Sequence, residues 1–156
     1  SHLNTYIQAD VLKIYNYFLW RDNKLKFNTA RRRVDVQISY KIEVLSSEII
    51  SYKIYNYSYY GSSQGNYNVY GYNYKLNPLI QVTLNELLNY NDDALSLVTA
   101  LCEEKLLEKT TIELGIDGLN KESLFVFADK ISWETFNNFY VTPESVTIIF
   151  NWDQFK

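Results

Sequence analysis

Tyr55, Tyr57, Tyr59 and Tyr60 run into Ser62, Gln64 and Asn66, a set whose chemistry is contact, not bond-making. A tyrosine joins a flat apolar ring to a polar tip and loses little rotamer entropy on binding. Serine, glutamine and asparagine add adaptable hydrogen bonds, and antibody paratopes use the same mixture. The rings could equally stack on a sugar. These seven residues are the candidate ligand-binding set. They lie in the stretch Ile49–Leu76, where most of the chain's 15 tyrosines crowd. A second reading of the same block has Tyr52, Tyr70, Tyr72 and Tyr74 packing beneath helices, with their hydroxyls at the rim.

Catalytic chemistry finds no footing. The only histidine, His2, follows Ser1 in what reads as a cleaved tag remnant. The commonest general base and transition-metal ligand is then missing, and Ser62 and Ser63 have nothing to activate them. Asp92-Asp93 and Glu103-Glu104 are neighbours that point apart on a helix, whereas a glycosidase holds two carboxyls roughly 5–9 Å apart across a sugar. Asp117–Asn120 is too short for a calcium loop. Gly61 and Gly65 lack the lysine of a phosphate loop. Cys102 sits at a core position of a helical pattern and reads as a small buried residue. The expectation is a non-catalytic domain without metal or cofactor.

Composition bounds the rest. A chain of 156 residues, 47% hydrophobic and 17% aromatic, suits one domain with a substantial core, here 1–156. The net charge of −3 argues against a nucleic-acid partner, and the one basic run, Arg31-Arg32-Arg33, reads as a solvated segment before a strand. A single cysteine rules out an internal disulfide. No window approaches the ~18 consecutive apolar residues of a membrane span, although an anchor or signal peptide could lie outside this stretch.

The elements that must position the tyrosines are legible from periodicity. Val11, Leu12, Ile14, Tyr15, Phe18 and Leu19 recur at helical steps, with Asp10 as N-cap and Asp22-Asn23 as a candidate stop. Val34, Val36, Ile38, Tyr40, Ile42 and Val44 alternate with polar residues, predicting a strand with one face in the core. Ser46-Ser47-Glu48 turns into a second strand, and Gly61–Asn66 turns that into a third, Tyr67–Leu76. Both faces of this hairpin are apolar or aromatic, so one meets helices and the other is covered or open to a partner. Gly71 suggests a bulge or a close approach. Asn77-Pro78 ends the strand, Thr83–Glu86 is a capping box, and Asn91-Asp92-Asp93 caps a longer helix burying Ala94, Leu95, Val98, Leu101, Cys102 and Leu106. Leu124–Ala128 reads as strand or helix, and Val146, Ile148 and Phe150 as a last strand. The predicted class is α+β, an antiparallel sheet with helices packed on one face.

Taken in series, Tyr59-Tyr60-Gly61, Tyr72-Asn73-Tyr74, Thr83-Leu84-Asn85-Glu86-Leu87-Leu88, Phe139-Tyr140-Val141-Thr142-Pro143 and Ser145–Phe150 carry a resemblance. Over roughly residues 34–151 the chain resembles a bacterial extracytoplasmic domain family. That family occurs in the lysozyme-sensing anti-sigma-V factor and beside some peptidoglycan deacetylases. The resemblance implies a secreted or membrane-anchored cell-envelope domain that senses or binds a protein (lysozyme-like) or a peptidoglycan fragment. An alternative is a structural accessory domain that packs on a neighbouring domain or forms a homodimer. Two departures stand out. The family's turn carries a histidine that Gly61-Ser62-Ser63-Gln64-Gly65 lacks, so no contact through that histidine carries over. The family also continues into a further strand, whereas this sequence stops at Lys156.

Overall fold

The computed structural model describes residues 2–26, 35–59, 65–114 and 131–151. Helix α1 (His2–Lys26) is followed by strands β1 (Asp35–Leu45), β2 (Ile49–Tyr59), β3 (Asn66–Leu76) and β4 (Leu79–Gln81). Then come the short helix α2 (Leu84–Leu87), the long helix α3 (Asp92–Leu114), a 3-10 turn (Trp133–Phe136) and the strand pair β5 (Phe139–Val141) and β6 (Val146–Ile148). The four-stranded sheet is antiparallel in the order β1-β2-β3-β4, and β5-β6 forms a separate antiparallel ribbon. The class is α+β.

Register explains the hairpin. Ser58 opposes Asn66, Tyr57 opposes Tyr67, Tyr52 opposes Tyr72 and Ile50 opposes Tyr74. Because side chains alternate with period two, Ile50, Tyr52, Ile54, Asn56 and Ser58 share one face with Tyr70, Tyr72 and Tyr74, while Ser51, Lys53, Tyr55, Tyr57 and Tyr59 share the other.

Helix α1 covers the first face. Ile7, Ile14 and Phe18 form one core cluster with Ile50, Tyr52 and Ile54, and Tyr70, Tyr72 and Tyr74 pack around it. The packing reading of Tyr52, Tyr70, Tyr72 and Tyr74 is therefore the observed one, with a difference at Tyr52. Its ring is fully buried, and its hydroxyl, like that of Tyr74, ends on a buried carboxylate instead of the rim. That carboxylate belongs to Asp10. Asp10 is not an N-cap: α1 begins at His2, and Asp10 falls mid-helix on the face turned to the sheet. The helix also continues past Asp22-Asn23 to Lys26.

The ribbon covers part of the opposite face, and Gly71 is where it touches. A Cβ there would land on the Phe139 carbonyl, so only glycine admits β5 at this point. Asn73 donates to the Phe139 carbonyl at 2.8 Å, and Ser51 Oγ accepts from the Val141 N–H at 2.8 Å. A second core cluster of Leu84, Phe136 and Phe139, joined by Leu88, Leu95, Val98 and Cys102, ties the ribbon to α2, α3 and the 3-10 turn.

Two strand and helix expectations shift. The alternation of β1 breaks at a register irregularity between Ile42 and Val44, and Tyr40 and Ile42 are exposed, because α1 reaches only part of this edge strand. Asn77-Pro78 ends β3 at Leu76 as read, and the chain turns there into β4, pairing Leu76 with Leu79. Leu101 is exposed, whereas Leu95, Val98, Cys102 and Leu106 face inward to varying degree. The capping box holds as read: the Thr83 side chain accepts from the Glu86 N–H, and the Glu86 carboxylate accepts from the Thr83 N–H at 2.8 Å. The Asn91 side chain accepts from the Asp93 N–H at 3.0 Å. Arg31-Arg32-Arg33, Asp117–Asn120 and Leu124–Ala128 lie outside the described residues.

Candidate binding surfaces of the hairpin

Of the seven candidate residues, Tyr55, Tyr57, Tyr59 and Asn66 are described; Tyr60, Ser62 and Gln64 lie outside the described residues. The three tyrosines share the face opposite α1, as alternation requires, and each is half-buried. Asn66 starts β3 opposite Ser58 and belongs to the α1 side of the hairpin. The structure therefore brings the tyrosines together and turns Asn66 away from them.

The row continues across the hairpin through a residue that the periodicity alone did not single out. Tyr67 opposes Tyr57, is 58% exposed, and holds its ring 6.2 Å from that of Tyr55. Its signal in the sequence was the hairpin register, which depends on the turn and not on the alternation of either strand. The Tyr57 ring lies across Gly65, where a Cβ would collide with it.

The ribbon and its flanking residues reach the Tyr55–Val69 rung. Tyr140 places its ring 4.3 Å from Lys53 Nζ, and Lys53 also lies 5.5 Å from the Tyr55 ring. Lys53 bonds Glu43 at 2.8 Å, and Lys41 bonds the other Glu43 oxygen at 3.0 Å. The hydrogen bond to Glu43 raises the Lys53 pKa above the usual lysine range, and the same contact lowers that of Glu43. This network lies where the ribbon meets the tyrosine row.

Two asparagines finish the free edge of β3. Asn151 Oδ1 accepts from the Val69 N–H at 3.0 Å, while its Nδ2 donates to the Val69 carbonyl at 2.9 Å. Asn138 accepts from the Gly71 N–H at 2.8 Å and donates to the Val69 carbonyl at 3.0 Å. Their side-chain amides stand in for a neighbouring strand.

Two depressions adjoin the hairpin. A cleft of about 720 Å³ lies between α3 and the ribbon, with Lys53, Tyr55 and Val69 at one end and Leu88, Val98, Cys102 and Leu106 along its wall. Desolvation there raises the Cys102 thiol pKa, which disfavours the thiolate. A groove of about 490 Å³ separates α1 from the other side of the hairpin's tip half and is lined by Tyr17, Phe18, Ser58, Asn66, Asn68 and Tyr70 among others. Among the described residues no cluster of His, Cys, Asp and Glu could hold a metal ion. No helix among them is long and apolar enough to cross a membrane.

No protein-family model matches the chain, and no curated protein matches it.

Proposed function

We propose that this chain is a non-catalytic, extracytoplasmic binding domain of a bacterial cell-envelope protein, and that it recognises a protein partner through the tyrosine end of its hairpin. The observation that carries this reading is the row Tyr55, Tyr57, Tyr59 and Tyr67, partly exposed rings that share one face of β2-β3. A row of half-exposed rings along a sheet face suits a protein surface better than a small molecule, which needs concavity. The envelope setting and a lysozyme-like partner follow from the sequence resemblance.

The test is binding of lysozyme to the purified chain, with Tyr57→Ala and Tyr67→Ala as variants. Hot-spot tyrosines lose about 2 kcal/mol or more on truncation, roughly a 30-fold loss in affinity. A drop of that order with unchanged circular dichroism supports the reading. Absence of lysozyme binding, or binding indifferent to both substitutions, overturns it; muropeptide binding that depends on the two tyrosines would move the partner class to glycan.

A second reading, an accessory domain that packs on a neighbour or a second copy, is favoured by the outer side of α1. Leu12, Tyr15 and Leu19 recur there at helical spacing and are all exposed. Sedimentation of the chain and of Leu12→Ser/Leu19→Ser decides it: a dimer that dissociates in the double variant supports this role, and a monomer at all concentrations removes the homodimer.

A further inference from the structure

We propose that the groove between α1 and the tip half of the hairpin is a separate binding site, for a pyranose sugar. On the α1 side of the sheet, the rungs Ile50–Tyr74, Tyr52–Tyr72 and Ile54–Tyr70 are apolar or aromatic. The next two, Asn56–Asn68 and Ser58–Asn66, are polar on both strands. Four hydrogen-bonding side chains thus form a block at the end of an aromatic face, and three of them, Ser58, Asn66 and Asn68, line the groove.

The fourth, Asn56, is wholly buried, and neither atom of its side-chain amide has a hydrogen-bond partner. Leaving a buried carboxamide unpaired is costly, and an apolar residue would serve packing better. Asn56 lies directly across from Asn68 and two residues from Ser58, so its unused capacity adjoins the groove floor. An occupant that draws Asn68 and Ser58 into hydrogen bonds extends that network to Asn56.

The lining selects the ligand class. Rings of Tyr17, Tyr70 and Tyr72 offer flat apolar surface, which the C–H face of a pyranose matches. Carboxamides that donate and accept at once match hydroxyls or an acetamido group at its edge. A volume of about 490 Å³ is in the range of small-molecule sites, roughly 300–1,000 Å³.

The experiment titrates the chain with a chito-oligosaccharide, which carries acetamido groups, and a cello-oligosaccharide, which carries only hydroxyls, by calorimetry and NMR. Binding of either, weakened at least about tenfold by Tyr17→Ala and by Asn68→Ala with the fold intact, is the expected result. Asn56→Leu is expected to raise the melting temperature of the free protein while weakening the sugar. Three outcomes overturn the proposal: no binding of either sugar at millimolar concentration, binding unchanged by the groove variants, or binding lost only in Tyr57→Ala and Tyr67→Ala. The first two leave lysozyme capture, which uses the opposite face, untouched, whereas the third would move the partner class of the tyrosine end to glycan.

Discussion

The Tyr52 hydroxyl donates a 2.5 Å hydrogen bond to Asp10, joining the centre of the sheet to the middle of a helix 42 residues earlier in the chain. Tyr74 donates to the same carboxylate oxygen at 2.8 Å, and Lys13 bonds the other oxygen at 2.8 Å. A buried acid is tolerated here because hydroxyls and a cation satisfy both of its oxygens. This cluster orients the tyrosine hairpin against α1.

Asp10→Ala leaves two phenol hydroxyls beneath α1 without their acceptor, and is expected to cost about 2–4 kcal/mol. Asp10→Asn retains one carbonyl oxygen able to take both phenols, while Lys13, whose side chain is largely exposed, can swing away. Its cost is expected to be less than half as large. Urea unfolding of both variants checks this; equal losses would mean that the carboxylate's charge, not its acceptor geometry, holds the contact.

Gly71→Ala forces β5 off the sheet, because the added methyl meets the Phe139 backbone, which cannot rotate away as a side chain would. The Asn73, Ser51 and Asn138 bonds are strained with it. A loss of about 2–3 kcal/mol is expected, at the upper end of overpacking costs. Amide exchange should rise first at Gly71 and Val141.

Alkaline pH should unfold the protein through its inner tyrosines. Desolvation raises the pKa of Tyr52, Tyr72 and Tyr74 above the ordinary tyrosine value, and the Asp10 carboxylate adds to it. A raised folded pKa means the folded state holds the proton more tightly. The stability from this source is fully present below pH ~10, where unfolded tyrosine titrates, and declines as pH climbs above it. Tyrosinate absorbance should show a subset ionising only together with loss of the far-UV signal; smooth ionisation of every tyrosine before unfolding would contradict it.

Asn151→Ala removes both bonds to the Val69 peptide group. The Val69 carbonyl keeps Asn138, but its N–H loses its acceptor. A loss of about 1–3 kcal/mol is expected. Asn151→Asp, which keeps an acceptor for that N–H but places an oxygen against the carbonyl, should fall between wild type and alanine in thermal melting.

Much of the hairpin was legible in the sequence because alternation is a local property. Tyr55, Tyr57 and Tyr59 must share a face wherever β2 lies, and Thr83 and Glu86 cap a helix wherever it packs. Asp10 misled for an instructive reason. An aspartate before an apolar helical run is a common N-cap, and only the arrival of Tyr52 and Tyr74 from distant strands makes a mid-helix carboxylate the better arrangement. The asparagines were illegible for a similar reason: Asn73, Asn138 and Asn151 find their partners 66 to 82 residues away.

By itself the sequence determined the α+β class, the ribbon of tyrosines and which rings lie on which side, because these depend on backbone periodicity and short-range capping. The tertiary structure alone decided which side α1 would cover, where β5 would cross at Gly71, and which polar groups would be satisfied or left unpaired. Those outcomes depend on burial and on hydrogen bonds between residues distant in the chain, and no local pattern encodes such contacts.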